Sequence, residues 1–204
     1  MNVYSIPMAL MDLLPVALFL AGNLLIWKDL GGKMSFVSRS FYLTGIVLAV
    51  AAGFIKAHYK LLCAVGIGDI EWMSRQFFPN QSLGFLLAGA GLLLSLVSRK
   101  KKNKEYRTYA FLPPMALVGL MIIGETCMYI ALGIYAAKLK KPAATVMLVI
   151  SYILSLGMGY LSSRDFGTEA MNWLAQTVNA CSQGSFLAAV WIMHKAGLGK
   201  EAAG

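Results

Sequence analysis

Glu125 stands alone as a carboxylate in the middle of an apolar run, flanked by Gly124 and Thr126. A group that can ionise at such a depth faces protein or water, because placing its charge against lipid costs a few kcal/mol. It suits a cation site or a proton relay, or it is a neutral acid that hydrogen-bonds helices together. Lys56, His58 and Arg75 are its candidate counter-charges. Near the C-terminus, Asn172, Gln176, Asn179, Gln183 and His194 follow spacings of four, three, four and eleven. On a helix these fall within an arc of about 60°. Four carboxamides on one face line a wet pathway, bind a polar ligand, or lock onto neighbouring helices. Asp69, Gln76 and Asn80 make a shorter face of the same kind, and Asn23 follows Gly22 in the first apolar run. The predicted pathway is therefore Glu125, Asn23, Asn172, Gln176, Asn179, Gln183, Gln76 and Asn80. Lys56, His58, Arg75, Asp69 and Glu71 form the predicted headgroup or counter-ion set.

Composition fixes what must carry these groups. The chain has 204 residues, 58% hydrophobic and only 13% charged, with a mean hydropathy of +0.66; soluble domains carry about 25% charged residues. About 20 apolar residues span a bilayer core, and six such stretches occur, at about 8–27, 41–55, 70–98, 113–137, 142–161 and 168–194. The net charge of +9 gathers in the gaps between stretches, as in membrane proteins, so nucleic acid is not an expected partner. Cys63, Cys127 and Cys181 stand singly in apolar sequence. With no metal, phosphate-loop or nucleophile spacing, no metal or cofactor is expected. The two histidines, His58 and His194, would make a ligand pair only if they shared one side and depth; interfacial side chains are the simpler expectation.

The stretches recur. An offset of 101 residues lays Tyr59 on Tyr160, Trp72 on Trp173, Phe85 on Phe186 and Ala88 on Ala189, and one further residue lays Gly22-Asn23 on Gly124-Glu125. Two three-helix units follow: residues 1–98, a basic loop over 99–107, and residues 108–204. Three spans per unit imply an inverted repeat with the basic loop cytoplasmic. In this arrangement Lys138, Lys140 and Lys141 fall on the opposite, less expected side. Pro15 should kink the first span and Pro79 should loosen the third. Ser151, Ser155, Gly157 and Gly159 give the fifth span a face for close packing, within the chain or in a homodimer.

The stretch 61–94, LLCAVGIGDIEWMSRQFFPNQSLGFLLAGAGLLL, resembles part of the YhhN-type lysoplasmalogenases, where a Gly-Asp pair ends one helix and a Phe-containing turn leads into the next; 138–155 is loosely similar to a later segment. The likeness covers about a quarter of the chain. It implies eight spans and an intramembrane hydrolase using two aspartates, of which Asp69 has a matching position. The second aspartate is missing from 171–194, and the histidine expected after Gly89 is absent.

Sequence alone thus predicts an all-α polytopic protein of a cell membrane, with about six spans in two inverted three-helix units. The leading function is a small transporter or channel-like protein for a polar or ionic solute. An intramembrane lipid-processing enzyme using Asp69, Glu71 or Glu125, and a non-catalytic assembly subunit, are the alternatives.

Overall fold

A computed structural model describes residues 4–68, 70–97, 114–162 and 168–201. Among them the chain is helical, without strands. The helices are α1 (Ile6–Met11), α2 (Leu13–Leu30), α3 (Phe36–Ala64), α4 (Glu71–Arg75), α5 (Phe77–Val97), α6 (Pro114–Lys138), α7 (Pro142–Ser162), α8 (Glu169–Lys195) and α9 (Leu198–Glu201).

Local chemistry sets most boundaries. Proline lacks an amide hydrogen and frees the carbonyl four residues earlier. Four residues before Pro15 is Met11, where α1 ends; four before Pro79 is Arg75, where α4 ends. The first and third apolar stretches are thereby each broken at one residue, Asp12 and Gln76. Pro114 and Pro142 open α6 and α7, where a missing amide hydrogen is harmless. Ser35 caps α3 by accepting from the Ser38 amide, and Thr168 caps α8 by accepting from that of Met171.

Four helical segments are long and apolar enough to cross a membrane: Ile6–Leu30, Phe36–Ala64, Glu71–Val97 and Val118–Lys138. The chain is built accordingly, with apolar groups outside and polar groups inside. Leu24, Val47, Ile123, Ile130, Val149 and Ile153 are exposed, whereas Asn23, Lys60, Glu125, Asn172 and Gln176 are buried. This reverses the soluble pattern and is what a hydrocarbon solvent requires.

The six long helices close into a ring in the order α2, α3, α5, α6, α7, α8, with α8 returning to α2. Their sense can be read from paired contacts. Lys60 meets Asp12 and Tyr42 meets Asn23, so α2 and α3 are antiparallel. Glu125 meets Ser155 and Tyr129 meets Ser151, so α6 and α7 are antiparallel. However, Gly124 abuts Phe85 and Leu86 while Tyr135 meets Ser95, so α5 and α6 run parallel. The same holds for α2 and α8, where Gly22 abuts Phe186 and Asp29 meets His194. The expected inversion between units is therefore not met: the two run in the same sense. It assumed that residues 98–113 turn the chain round on one face, whereas Val97 and Pro114 stand at opposite ends of the bundle. The loop 99–107 lies outside the described residues.

Close backbone approach holds the ring. A Cβ on Gly45 would strike the backbone of Gly84 and Ala88, and one on Gly124 that of Phe85 and Leu86. Gly133 has open space around it. Gly124→Ala should destabilise the protein by about 1–3 kcal/mol through overpacking, while Gly133→Ala should match or exceed the parent, since alanine is the better helix former. Thermal unfolding of the two purified variants checks the contrast.

Candidate functional site

A cavity of about 260 Å³ opens between the helices, in the half of the ring nearer Asp12. Every long helix contributes: Pro15, Val16 and Phe19 from α2, Gly53 and Lys56 from α3, Gln81 and Phe85 from α5, Met121 and Glu125 from α6, Ser155 and Met158 from α7, and Gln176, Asn179 and Gln183 from α8. The cavity reaches the Asp12 end at Phe77 and Phe78, the latter exposed.

Its floor is aromatic. Phe19 stacks on Phe186 with centroids 5.7 Å apart and lies 5.5 Å from Phe85, and Tyr129 meets the Phe186 ring edge-on at 6.2 Å. Beneath that layer the interior is mostly apolar, with Ile26, Leu92, Leu132, Val190 and Met193 all fully buried.

The walls combine paired and unpaired polar groups. Ser155 donates to a Glu125 carboxylate oxygen, and among the described residues no cation pairs with that carboxylate. At the mouth, buried Asp12 and Lys60 form an ion pair at 2.7 Å, leaving Asp12 Oδ1 without a hydrogen-bond partner. Lys56 has no carboxylate partner among the described residues and holds its ammonium 3.8 Å from the Phe77 ring centroid, a favourable cation–π contact. Gln183 is buried with its carbonyl oxygen unpartnered. Unmade hydrogen bonds on buried acceptors are uncommon and call for a partner.

The predicted residues divide. Glu125, Gln176, Asn179, Gln183 and Lys56 converge on the cavity. Asn172 shares the stripe's buried side but sits above the cavity, donating to the Thr168 carbonyl. Asn23 does not line it. Its side chain lies under the aromatic floor, donating to the Phe19 carbonyl and accepting from the Tyr42 hydroxyl, because a carboxamide inside a tight helix contact must find protein partners. Gln76 and Asn80 bond each other, and neighbouring Gln81 reaches the cavity instead. Glu71 and Arg75 pair on the surface with side chains 68% and 76% exposed, too solvated to form a buried acid–base pair. Asp69 lies outside the described residues. His58 donates to the Phe54 carbonyl near the Asp12 end, while His194 binds Asp29 at the other end. The two histidines are therefore on opposite sides, and a shared ligand is excluded by geometry.

Three features were not read from sequence: the Asp12–Lys60 pair, Gln81 and the aromatic floor. The 101-residue offset that matches Phe85 with Phe186 was the available signal for the floor. Ser151 and Ser155, the small residues expected to serve helix packing or a homodimer, are engaged inside the chain. Ser151 donates to the Ser182 carbonyl, Ser182 donates in return, and Ser155 serves Glu125. No protein-family model, curated protein or solved structure matches this chain, so the partial resemblance to lysoplasmalogenases gains no support from those comparisons.

Proposed function

We propose that the protein is a small multi-pass membrane transporter whose solute pocket is this cavity, held between two three-helix units. The observation that carries the reading is a cavity lined by all six long helices, with polar groups set among apolar ones, and sealed on one side by an aromatic layer. A cavity so placed is open to one face of the membrane and closed to the other, as alternating access requires. The packing order supports the two units, since the second and third helices of each meet (α3 on α5, α7 on α8) and the third of each meets the first of the other (α5 on α6, α8 on α2). Gly22 faces Phe186 and Gly124 faces Phe85, the pairs that the sequence offset equates. Rocking the units about these contacts would part the floor and close the mouth.

Charge gives the orientation. With the units in one sense, Lys28, Lys33, Arg39, Lys138, Lys140, Lys141, Lys195 and Lys200 share the Asp29 end, against Lys56, Lys60 and Arg75 at the other. The positive-inside rule makes the Asp29 end cytoplasmic, and Lys138 to Lys141 no longer fall on the wrong side. The cavity then opens away from the cytoplasm of a cell membrane. Val97 and Pro114 stand at opposite ends of the bundle, which makes the direction of α6 the decisive topological measurement. A cysteine at Lys140 should label from the same side as one at Lys33; labelling from opposite sides would restore the inverted arrangement.

Wetness of the cavity tests the transport reading. With Cys63, Cys127 and Cys181 replaced, single cysteines at Asn179 and Gln183 should react with a small impermeant thiol reagent. One at Ile130, 52% exposed on the apolar exterior, should not. Protection of both cavity positions would make the carboxamides helix-packing groups and remove the transporter reading.

A further inference from the structure

The cavity's charges are arranged along its axis. At the mouth, Lys60 and Asp12 cancel, and Lys56 adds one positive charge. At depth, Glu125 offers one carboxyl group, which accepts from Ser155. Neither Lys56 nor Glu125 forms an ion pair among the described residues. An ionisable group withdrawn from water without a counter-charge tends to lose its charge, so a ligand that brings an anion to Lys56 and a cation to Glu125 holds both in their charged forms and is favoured over one that completes either. Such a ligand is neutral overall and carries an anionic group toward the mouth and a cationic group toward the floor.

Spacing narrows the class. Phe77, which holds the Lys56 ammonium, precedes Leu86, which abuts Gly124 beside Glu125, by nine residues of nearly continuous helix. At 1.5 Å per residue these two contact points are about 13 Å apart along the helix. Charge-assisted contacts of about 3 Å at each end leave about 7 Å for the ligand's own separation. An α-amino acid, with both charges on one carbon, is too short. Between the two ends stand Gln81, Gln176, Asn179 and Gln183, groups that match an amide in both donors and acceptors. The unpartnered Gln183 oxygen needs an N–H donor. At about 30 Å³ per water, a volume of about 260 Å³ equals roughly nine waters, the size of a molecule with about that many heavy atoms.

We propose that the cavity binds a dipeptide, its carboxylate at Lys56, its ammonium at Glu125 and its peptide group among the carboxamides. This rests on reading the cavity as a solute pocket.

Calorimetry on the protein in lipid nanodiscs tests it, with glycylglycine as the probe. Glycylglycine is expected to bind, and its N-acetyl and C-terminal amide derivatives at least tenfold more weakly. 5-Aminopentanoate, with the same charge spacing and no amide, should fall between them, and glycine and glucose should not bind. The variants assign the ends. In Lys56→Met the amide derivative should bind as well as glycylglycine, and in Glu125→Gln the acetyl derivative should do so. If Glu125→Gln fails to fold, Glu125→Asp serves, with its shorter side chain shifting preference from 5-aminopentanoate to 6-aminohexanoate. Equal binding of blocked and free peptides, preference for glucose or glycine, or no heat from any probe overturns the dipeptide assignment. In that case, thiol labelling at Asn179 and Gln183 would leave the transport reading standing, and protection there would remove both.

Discussion

Lys60→Met should be among the most damaging single substitutions in this protein, lowering stability by about 3–5 kcal/mol. Lys60 and Asp12 are 7% and 6% exposed at their side chains and meet at 2.7 Å. Removing the ammonium leaves a buried carboxylate held between α1, α2 and α3, with Lys56, which makes no ion pair with it, as the neighbouring positive charge. Asp12→Leu should do similar harm by stranding Lys60. The double variant Asp12→Leu with Lys60→Met should recover most of the loss, because an apolar pair of similar volume avoids desolvating two charges. A double-mutant cycle on thermal unfolding reads this coupling directly. If Lys60→Met alone is neutral, Lys56 or water reaches Asp12 and the pair is not closed to solvent. If the double variant is as unstable as the singles, the pair acts through the helix junction at Asp12 rather than through its charge.

That pair also shows how far the sequence could be read. Asp12 appeared in the first apolar stretch and Lys60 at the end of the second, but nothing local indicates that residues 48 positions apart meet. Lysines near a span end ordinarily extend to the interface, where their charge stays hydrated, and Lys60 instead turns inward because a carboxylate awaits it. By contrast, the α8 stripe was legible: helical periodicity alone puts Gln176, Asn179 and Gln183 on one face, and hydrocarbon outside forces that face inward. Glu125 was legible for the same reason, though its partner Ser155 was not, since serine in a span signals packing as readily as hydrogen bonding.

Four of the six expected stretches match helical segments long and apolar enough to cross a membrane, and proline marks several of their ends, but the second, expected over 41–55, runs from Phe36 to Ala64. The relative sense of the units did not follow from the sequence. An odd number of spans per unit implies inversion only if the intervening segment returns to the same face, and no periodicity within residues 98–113 states where they lead. Asn23 was misplaced by the repeat itself. The offset equates it with Glu125, but α2 meets α3 through Tyr42 at that level, whereas α6 meets α7 through the smaller Ser155. The larger partner draws the carboxamide into a closed contact, and the smaller leaves the carboxylate at the cavity.

Phe186→Ala should open the floor. The ring is fully buried, stacks on Phe19, meets Tyr129 and fills the space that Gly22 leaves. Its loss should cost about 3–5 kcal/mol, most of it as forfeited packing contacts, since lipid competes with water as the alternative surroundings. The consequence for the seal is separable from the loss of stability. A cysteine at Ile26, buried one turn beyond Gly22, should be inert to an impermeant thiol reagent in the parent and reactive in Phe186→Ala. Gly22 supplies the control. A Cβ there would lie 2.6 Å from the Phe186 ring, so Gly22→Ala should destabilise the parent and stabilise Phe186→Ala by partly refilling the gap. It should also restore protection at Ile26. Reversal of the sign of Gly22→Ala between the two backgrounds would locate the seal at this contact. The same destabilising effect in both, with Ile26 still protected, would place the barrier deeper, in the apolar layer of Leu92, Leu132 and Met193, and would make the aromatic rings the base of the pocket rather than its gate.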